Sequence, residues 1–142
     1  MEVDFAFLAD SAEAVSGKLY IIGGAIDTIW GRQVPLTHPH LAFVLRLIFD
    51  VAEIGRKHKL EIKIMDEDGS VVAHVGGDLE IPAKNPNLPK GWRQGFATVL
   101  NIQNLKFLKF GNYSFNILVN NSSLKNIPLR VAQHIEISRL GQ

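Results

Sequence analysis

Few residues in this chain have the type and spacing that chemistry needs. Asp66-Glu67-Asp68 sets three carboxylates in a row. A calcium loop between two helices requires further oxygen ligands at fixed spacing and a closing glutamate. Gly69 is followed by Ser70-Val71-Val72-Ala73-His74, which supplies none, so the acidic run reads as an Asp-Gly hairpin turn. His38-Pro39-His40 is a close histidine pair, with His58 and His74 further along. Zinc takes three or four converging ligands, and no carboxylate lies near the pair in sequence, so no metal is expected. Gly23-Gly24 and Gly76-Gly77 lack the lysine and helix start of a phosphate loop, and no cofactor is expected. Nucleophilic catalysis needs an activated Ser, Thr or Cys beside a base. The chain has no Cys and no Gly-x-Ser-x-Gly elbow, and Ser16-Gly17 reads as a turn. Asp4, Asp10, Asp27, Asp78 and Glu80 have the type for paired-carboxylate hydrolysis, but their spacing selects no pair. The expectation is a protein without catalytic activity.

Charge placement is the one unusual feature. The 142 residues balance Lys+Arg 15 against Asp+Glu 14. Residues 1–53 sum to −4 and residues 54–142 to +5, and no acid occurs between Ile81 and Ile135. That window holds Lys84, Lys90, Arg93, Lys106, Lys109, Lys125 and Arg130 among Trp92, Phe96, Phe107, Phe110, Tyr113 and Phe115. Cations for phosphate and rings for base stacking are what a single-stranded nucleic acid surface uses. Against this, the net charge is near zero, and alternation sends Phe96, Tyr113 and Phe115 inward. A further reading pairs the acidic third of one subunit with the basic remainder of another.

The elements that must position these residues are strands. Leu41, Phe43, Leu45, Leu47 and Phe49 fall on one face of a period-2 pattern, as do Leu60, Ile62 and Ile64, and Tyr113, Phe115, Ile117 and Val119. Val71 to Ile81 continues beyond the acidic turn, and Pro82 to Gly91 reads as a loop. Val3 to Leu8 reads as a strand, and Asp10 to Val15 as a helical turn or irregular loop. Leu19 to Trp30 is apolar on both faces around Gly23-Gly24, which marks a bulge or a close backbone approach. Leu105 and Leu108 have the spacing of a short helical turn that plugs the sandwich. Pro128 inside the final segment Ile127, Leu129, Val131, Ile135 and Ile137 points to an edge strand or a strand start. About eight strands with turn signals every 8–15 residues, roughly, predict an antiparallel, immunoglobulin-like β-sandwich. At most one short helix is expected, in a single all-β domain over residues 1–142.

Three stretches carry a resemblance. They are Phe5-Ala6-Phe7-Leu8-Ala9-Asp10 with Gly17-Lys18-Leu19-Tyr20-Ile21-Ile22-Gly23-Gly24, then Leu60 to Gly69 ending in Asp66-Glu67-Asp68-Gly69, then Phe110-Gly111-Asn112-Tyr113-Ser114-Phe115. From Val3 to Val131 the chain is similar to an uncharacterised bacterial family of small cytosolic β-sandwich proteins, a domain of unknown function. The family's second segment often carries a tryptophan where this chain has Asp50-Val51-Ala52. The resemblance implies fold and single-domain architecture. It brings no activity, cofactor or site residue with it.

The functional expectation is a non-catalytic binding or assembly module, self-associating or part of a larger protein complex. Trp30, Trp92, Arg93, Phe107 and Phe110 are the expected partner contacts, because large aromatics beside cations anchor interfaces. The alternative is single-stranded nucleic acid or another polyanion on the segment 82–134, held by Lys90, Arg93, Lys106 and Lys109. No run approaches the roughly 20 apolar residues that span a bilayer. With an acidic start in place of a basic leader, the expected location is the cytoplasm, with no membrane partner.

Overall fold

The computed structural model describes residues 1–81, 83 and 85–135. Nine strands follow in chain order among the described residues: β1 (Glu2–Val15), β2 (Lys18–Gly24), β3 (Thr28–Gly31), β4 (Leu36–Phe49), β5 (Lys57–Asp66), β6 (Val71–Glu80), β7 (Gln94–Phe107), β8 (Gly111–Val119) and β9 (Ser122–Gln133). One turn of 3-10 helix at Val51–Glu53 is the only helical element among the described residues. The strands form a four-stranded sheet, β2-β1-β4-β7, and a five-stranded sheet, β3-β9-β8-β5-β6. The run β9-β8-β5-β6 has the G-F-C-C′ order of an immunoglobulin-like sheet. All described pairings are antiparallel except β3 with β9, which run parallel from Thr28↔Arg130 to Gly31↔Gln133.

The inward faces are those the alternation marks. Leu41, Phe43, Leu45 and Leu47 of the four-stranded sheet meet Leu60, Ile62, Ile64, Phe115 and Ile117 of the other in one apolar core. Phe43 and Phe115 stack at 5.8 Å and join the two sheets directly. Each such fully buried side chain contributes about 1.5–3 kcal/mol of transfer free energy. Tyr113 near the start of β8 packs edge-on against Phe107, and its hydroxyl donates to the Lys109 carbonyl at 2.7 Å. This bond from a strand-F tyrosine to the backbone just upstream is the tyrosine corner of immunoglobulin-like sandwiches. Burial pushes the Tyr113 phenol pKa upward, which keeps it a donor.

Three local expectations need correction. Asp10 to Val15 is neither helical nor irregular: it is the second half of β1, paired with β2 down to Val15↔Lys18. The two halves of the hairpin satisfy one another's backbone groups, which outweighs the weak strand propensity of Ala12-Glu13-Ala14. The segment Leu105 to Phe110 is not a helical turn. Leu105 and Phe107 both point inward, while Lys106 and Leu108 point out, which is strand periodicity. Pro128 lies in β9, an interior strand, but β3 covers only Arg130 to Gln133 of it. At Pro128 no described strand covers that side of β9, so the missing N–H breaks no described ladder. Ile135 is exposed beyond the strand, and Ile137 lies outside the described residues.

Candidate functional site

The site begins where β1 changes partner. Ala9 pairs with both Gly24 and Ala42, and beyond it β1 continues with β2 alone. The Asp10 carbonyl accepts from His40 Nδ1 at 2.9 Å at this point of divergence. The β1–β2 hairpin then folds as an arm over the outer face of the four-stranded sheet. Its Ala12 and Leu19 cover Ala9, Ala42 and Val44, which are fully buried, together with Phe5, Phe7 and Val99. Leu19 faces the body, so period-2 geometry turns Tyr20 and Ile22 away from it. Tyr20 is 58% and Ile22 71% exposed, with Ile21 and Val15 also open.

β2 is also a sheet edge: among the described residues it has β1 on one side and no strand on the other. Its backbone groups on the open side have no described protein partner. An edge strand with a free ladder and exposed apolar side chains is a template for another strand. Gly17 (φ 76) and Gly23 (φ 63) bracket its regular part, Lys18 to Ile22, in the left-handed region that breaks a strand. Sequence reasoning did not select Tyr20, Ile21 or Ile22. The signal was present as apolarity on both faces of Leu19 to Trp30.

The five expected contacts do not share one surface. Phe107 is fully buried against Tyr113 and touches no solvent, so it is a core residue and not a partner contact. Phe110 is half-buried and packs on the same core. Trp30 (62% exposed) and Trp92 (61%) are open. Trp92 precedes β7 at Gln94, whereas Gly31 beside Trp30 packs on Leu36, which pairs with Phe107 at the far end of β7. The strand rise between those ends sums to roughly 40 Å.

The acid-free window is not acid-free in space. Arg93 bonds Glu2 and lies 3.0 Å from Asp50, and both raise its pKa, Glu2 most. Lys109 Nζ donates to Asp68 at 2.6 Å and lies 3.6 Å from Asp66, which raises its pKa as well. Lys90 and Lys106 are exposed, and Lys84 lies outside the described residues. The Asp66 carboxylate accepts from the Ser70 and Asp68 N–H groups at 3.0 Å, which holds its pKa low and fixes the β5–β6 turn. Acids from elsewhere in the chain therefore engage two of the four expected anion-binding cations.

The remaining polar clusters have internal partners. His40 Nε2 lies 3.0 Å from the Asn101 amide, so both its ring nitrogens are engaged, and burial lowers the His38 pKa. His58 is buried; its Nε2 donates to the Glu53 carbonyl at 3.0 Å and its Nδ1 accepts from Asn120 at 2.9 Å. Glu61, also buried, meets His74 at 2.7 Å and Lys59 at 3.2 Å, and its pKa is lowered, chiefly by the His74 hydrogen bond. A cavity of about 580 Å³ opens between the arm and β7, lined by Ala14, Gly17, Arg46 and Gln94 to Thr98. Arg46 lies over Gly95 there and is neutralised by Asp4 at 2.6 Å. The cavity thus presents a cation whose charge is already matched.

Among curated proteins, none matches the chain. A solved β-glucuronidase from glycoside hydrolase family 2 is similar at 21% identity, with a TM-score of 0.35, over 69% of this chain. The chain spans 10% of that enzyme's length. A family model matches residues 4–132, strands β1 to β9 almost entire, and the chain belongs to that family, DUF6941, a family of unknown function.

Proposed function

We propose that this protein is a non-catalytic binding or assembly module of the cytoplasm that recruits a protein strand to the free edge of β2. One observation carries the reading: Tyr20 and Ile22 stand exposed on a strand whose outer ladder has no partner among the described residues. Strand addition takes its affinity from main-chain hydrogen bonds and its specificity from alternate side chains, and β2 offers both. Backing by the arm's packed inner face keeps the edge in strand geometry before a partner arrives, which lowers the ordering cost of binding.

Polyanion binding on the segment 82–134 has less support. Arg93 and Lys109 are engaged with acids, and Phe107, Tyr113 and Phe115 are core. Nucleic-acid affinity would reveal itself by a steep fall with salt.

Native mass spectrometry of the protein recovered gently from its host tests the module reading, with Ile22→Lys beside the wild type. A discrete added mass in the wild type, absent from the variant, is expected. The same added mass in both would remove β2 as the contact. Cell fractionation of the tagged chain checks the location.

A further inference from the structure

We propose that the strand received by β2 is the β2 of a second copy of this chain, running antiparallel about a two-fold axis through Tyr20. This rests on the reading of β2 as a docking edge. The axis follows from the backbone. Gly17 and Gly23 limit regular pairing to Lys18 through Ile22, and Tyr20 is the middle of that stretch. Residues directly opposite one another in a sheet share a face, so a two-fold normal to the sheet must pass beside a residue and not between two. Centred on Tyr20, it sets Leu19 against Ile21, Lys18 against Ile22, and the two Tyr20 rings against each other. Every cross-strand pair is then apolar, or sets a lysine stem against an isoleucine.

The charges of the hairpin fit the same arrangement. Lys18 and Glu13 take no ion pair among the described residues. Glu13 pairs with Tyr20 in register, on the face shared by Lys18 and Ile22. In the dimer each Lys18 sits opposite the partner's Ile22, on the face that carries the partner's Glu13. Strand spacing and rise place those two Cα atoms about 12 Å apart, a span that extended lysine and glutamate side chains close. The two-fold repeats this contact, so both unpaired charges on each copy are met. The contact is isologous and joins two four-stranded sheets into one continuous sheet.

The chain contains no cysteine, which makes the test clean. Tyr20→Cys places two thiols across the axis at about 4.5–5.5 Å between Cα atoms, inside the range a disulfide requires. Mild copper–phenanthroline oxidation of the purified protein is expected to give a disulfide-linked dimer with Tyr20→Cys. Ile22→Cys, whose two copies stand four residues out of register, is expected to give no disulfide-linked species. Val71→Cys on exposed β6 is expected to do the same. Cross-linking of Ile22→Cys as complete as that of Tyr20→Cys would overturn the axis. A wild type that sediments as a monomer, with no Tyr20→Cys dimer, would overturn self-pairing. If protein from the host then carries a different partner that Ile22→Lys removes, the docking edge stands and only its occupant is wrong. A bare chain from the host would remove both.

Discussion

β2 and β6 each end a sheet, and they are built in opposite ways. β6 carries His74, Asp78 and Glu80 on exposed positions, opposite Lys63, Lys59 and Lys57 of β5 in register. A strand arriving there would have to strip water from charges that already have neighbours, which is how natural sheets discourage edge pairing. β2 carries Lys18 alone among its seven residues and exposes Tyr20, Ile21 and Ile22. The β3 edge is only four residues long, and β7 presents Asn101, Gln103, Asn104 and Lys106 to water. The contrast teaches that this protein knows how to close an edge and leaves one open. An unguarded edge is an aggregation hazard unless it is used.

A charge at Ile22 is expected to have the largest effect. Ile22→Lys would put an ammonium opposite the partner's Lys18 twice per dimer and remove apolar contact. It is expected to weaken self-association by about a hundredfold, in line with roughly 3 kcal/mol summed over both copies. Ile22→Glu at the same place would face Lys18 and is expected to retain the dimer. Val71→Lys on β6 should change nothing. Light scattering across a dilution series reads all three, and equal loss in Ile22→Lys and Ile22→Glu would reject the register.

Acid sharpens the contrast from the other side. The Glu61 and Asp66 carboxyls are held below their ordinary values of 4.5 and 3.8, Glu61 first by His74 and Asp66 first by the Ser70 N–H. A depressed carboxyl contributes stability that is fully present above its ordinary value and lost as pH falls through the folded one. Lowering pH from 6 to about 3 is therefore expected to reduce amide protection, measured against the intrinsic exchange rate, in the β5–β6 hairpin before the β1–β2 arm. Earlier opening of the arm would mean that its packing, not charge, is the weaker of the two.

Leu19→Ala removes the arm's main grip on Ala42 and Val44. Being partly buried, it is expected to cost about 1–2 kcal/mol and to expose the Ser16-Gly17 tip to proteolysis. If cleavage at the tip is unchanged, the arm does not depend on that contact. Tyr113→Phe has the smallest expected effect, about 1 kcal/mol of unfolding free energy in a urea titration, since it deletes one hydrogen bond at the corner before β8. It should leave β2 association untouched.

The sandwich was legible because its core obeys one rule. Phe43, Phe115 and Ile62 sit where alternation sends them, and Asp66 to Gly69 turns as its residues require. The arm was not legible. Nothing in Ala12-Glu13-Ala14 says strand, because its partner β2 supplies the order. The site was half legible. Leu19 to Trp30 declared itself apolar on both faces, yet such a strand is either central or sticky, and only its neighbours decide. Phe107 and Lys109 misled for the same reason: type and spacing gave an aromatic and a cation, while burial and Asp68 came from residues far along the chain.

The parallel pairing of β3 with β9 has a consequence for how the molecule is made. Thr28 meets Arg130 across about 100 residues of intervening chain. On a ribosome adding roughly 5–20 residues per second, that interval lasts on the order of 5–20 s. The residues of β1 and β2 emerge first, so their apolar edge is on the nascent chain through all of that interval, before the second sheet can close. If β2 pairs with a second copy as proposed, neighbouring nascent chains on one message would carry that edge at the same time, and their pairing would be expected to start during translation, before either fold is complete.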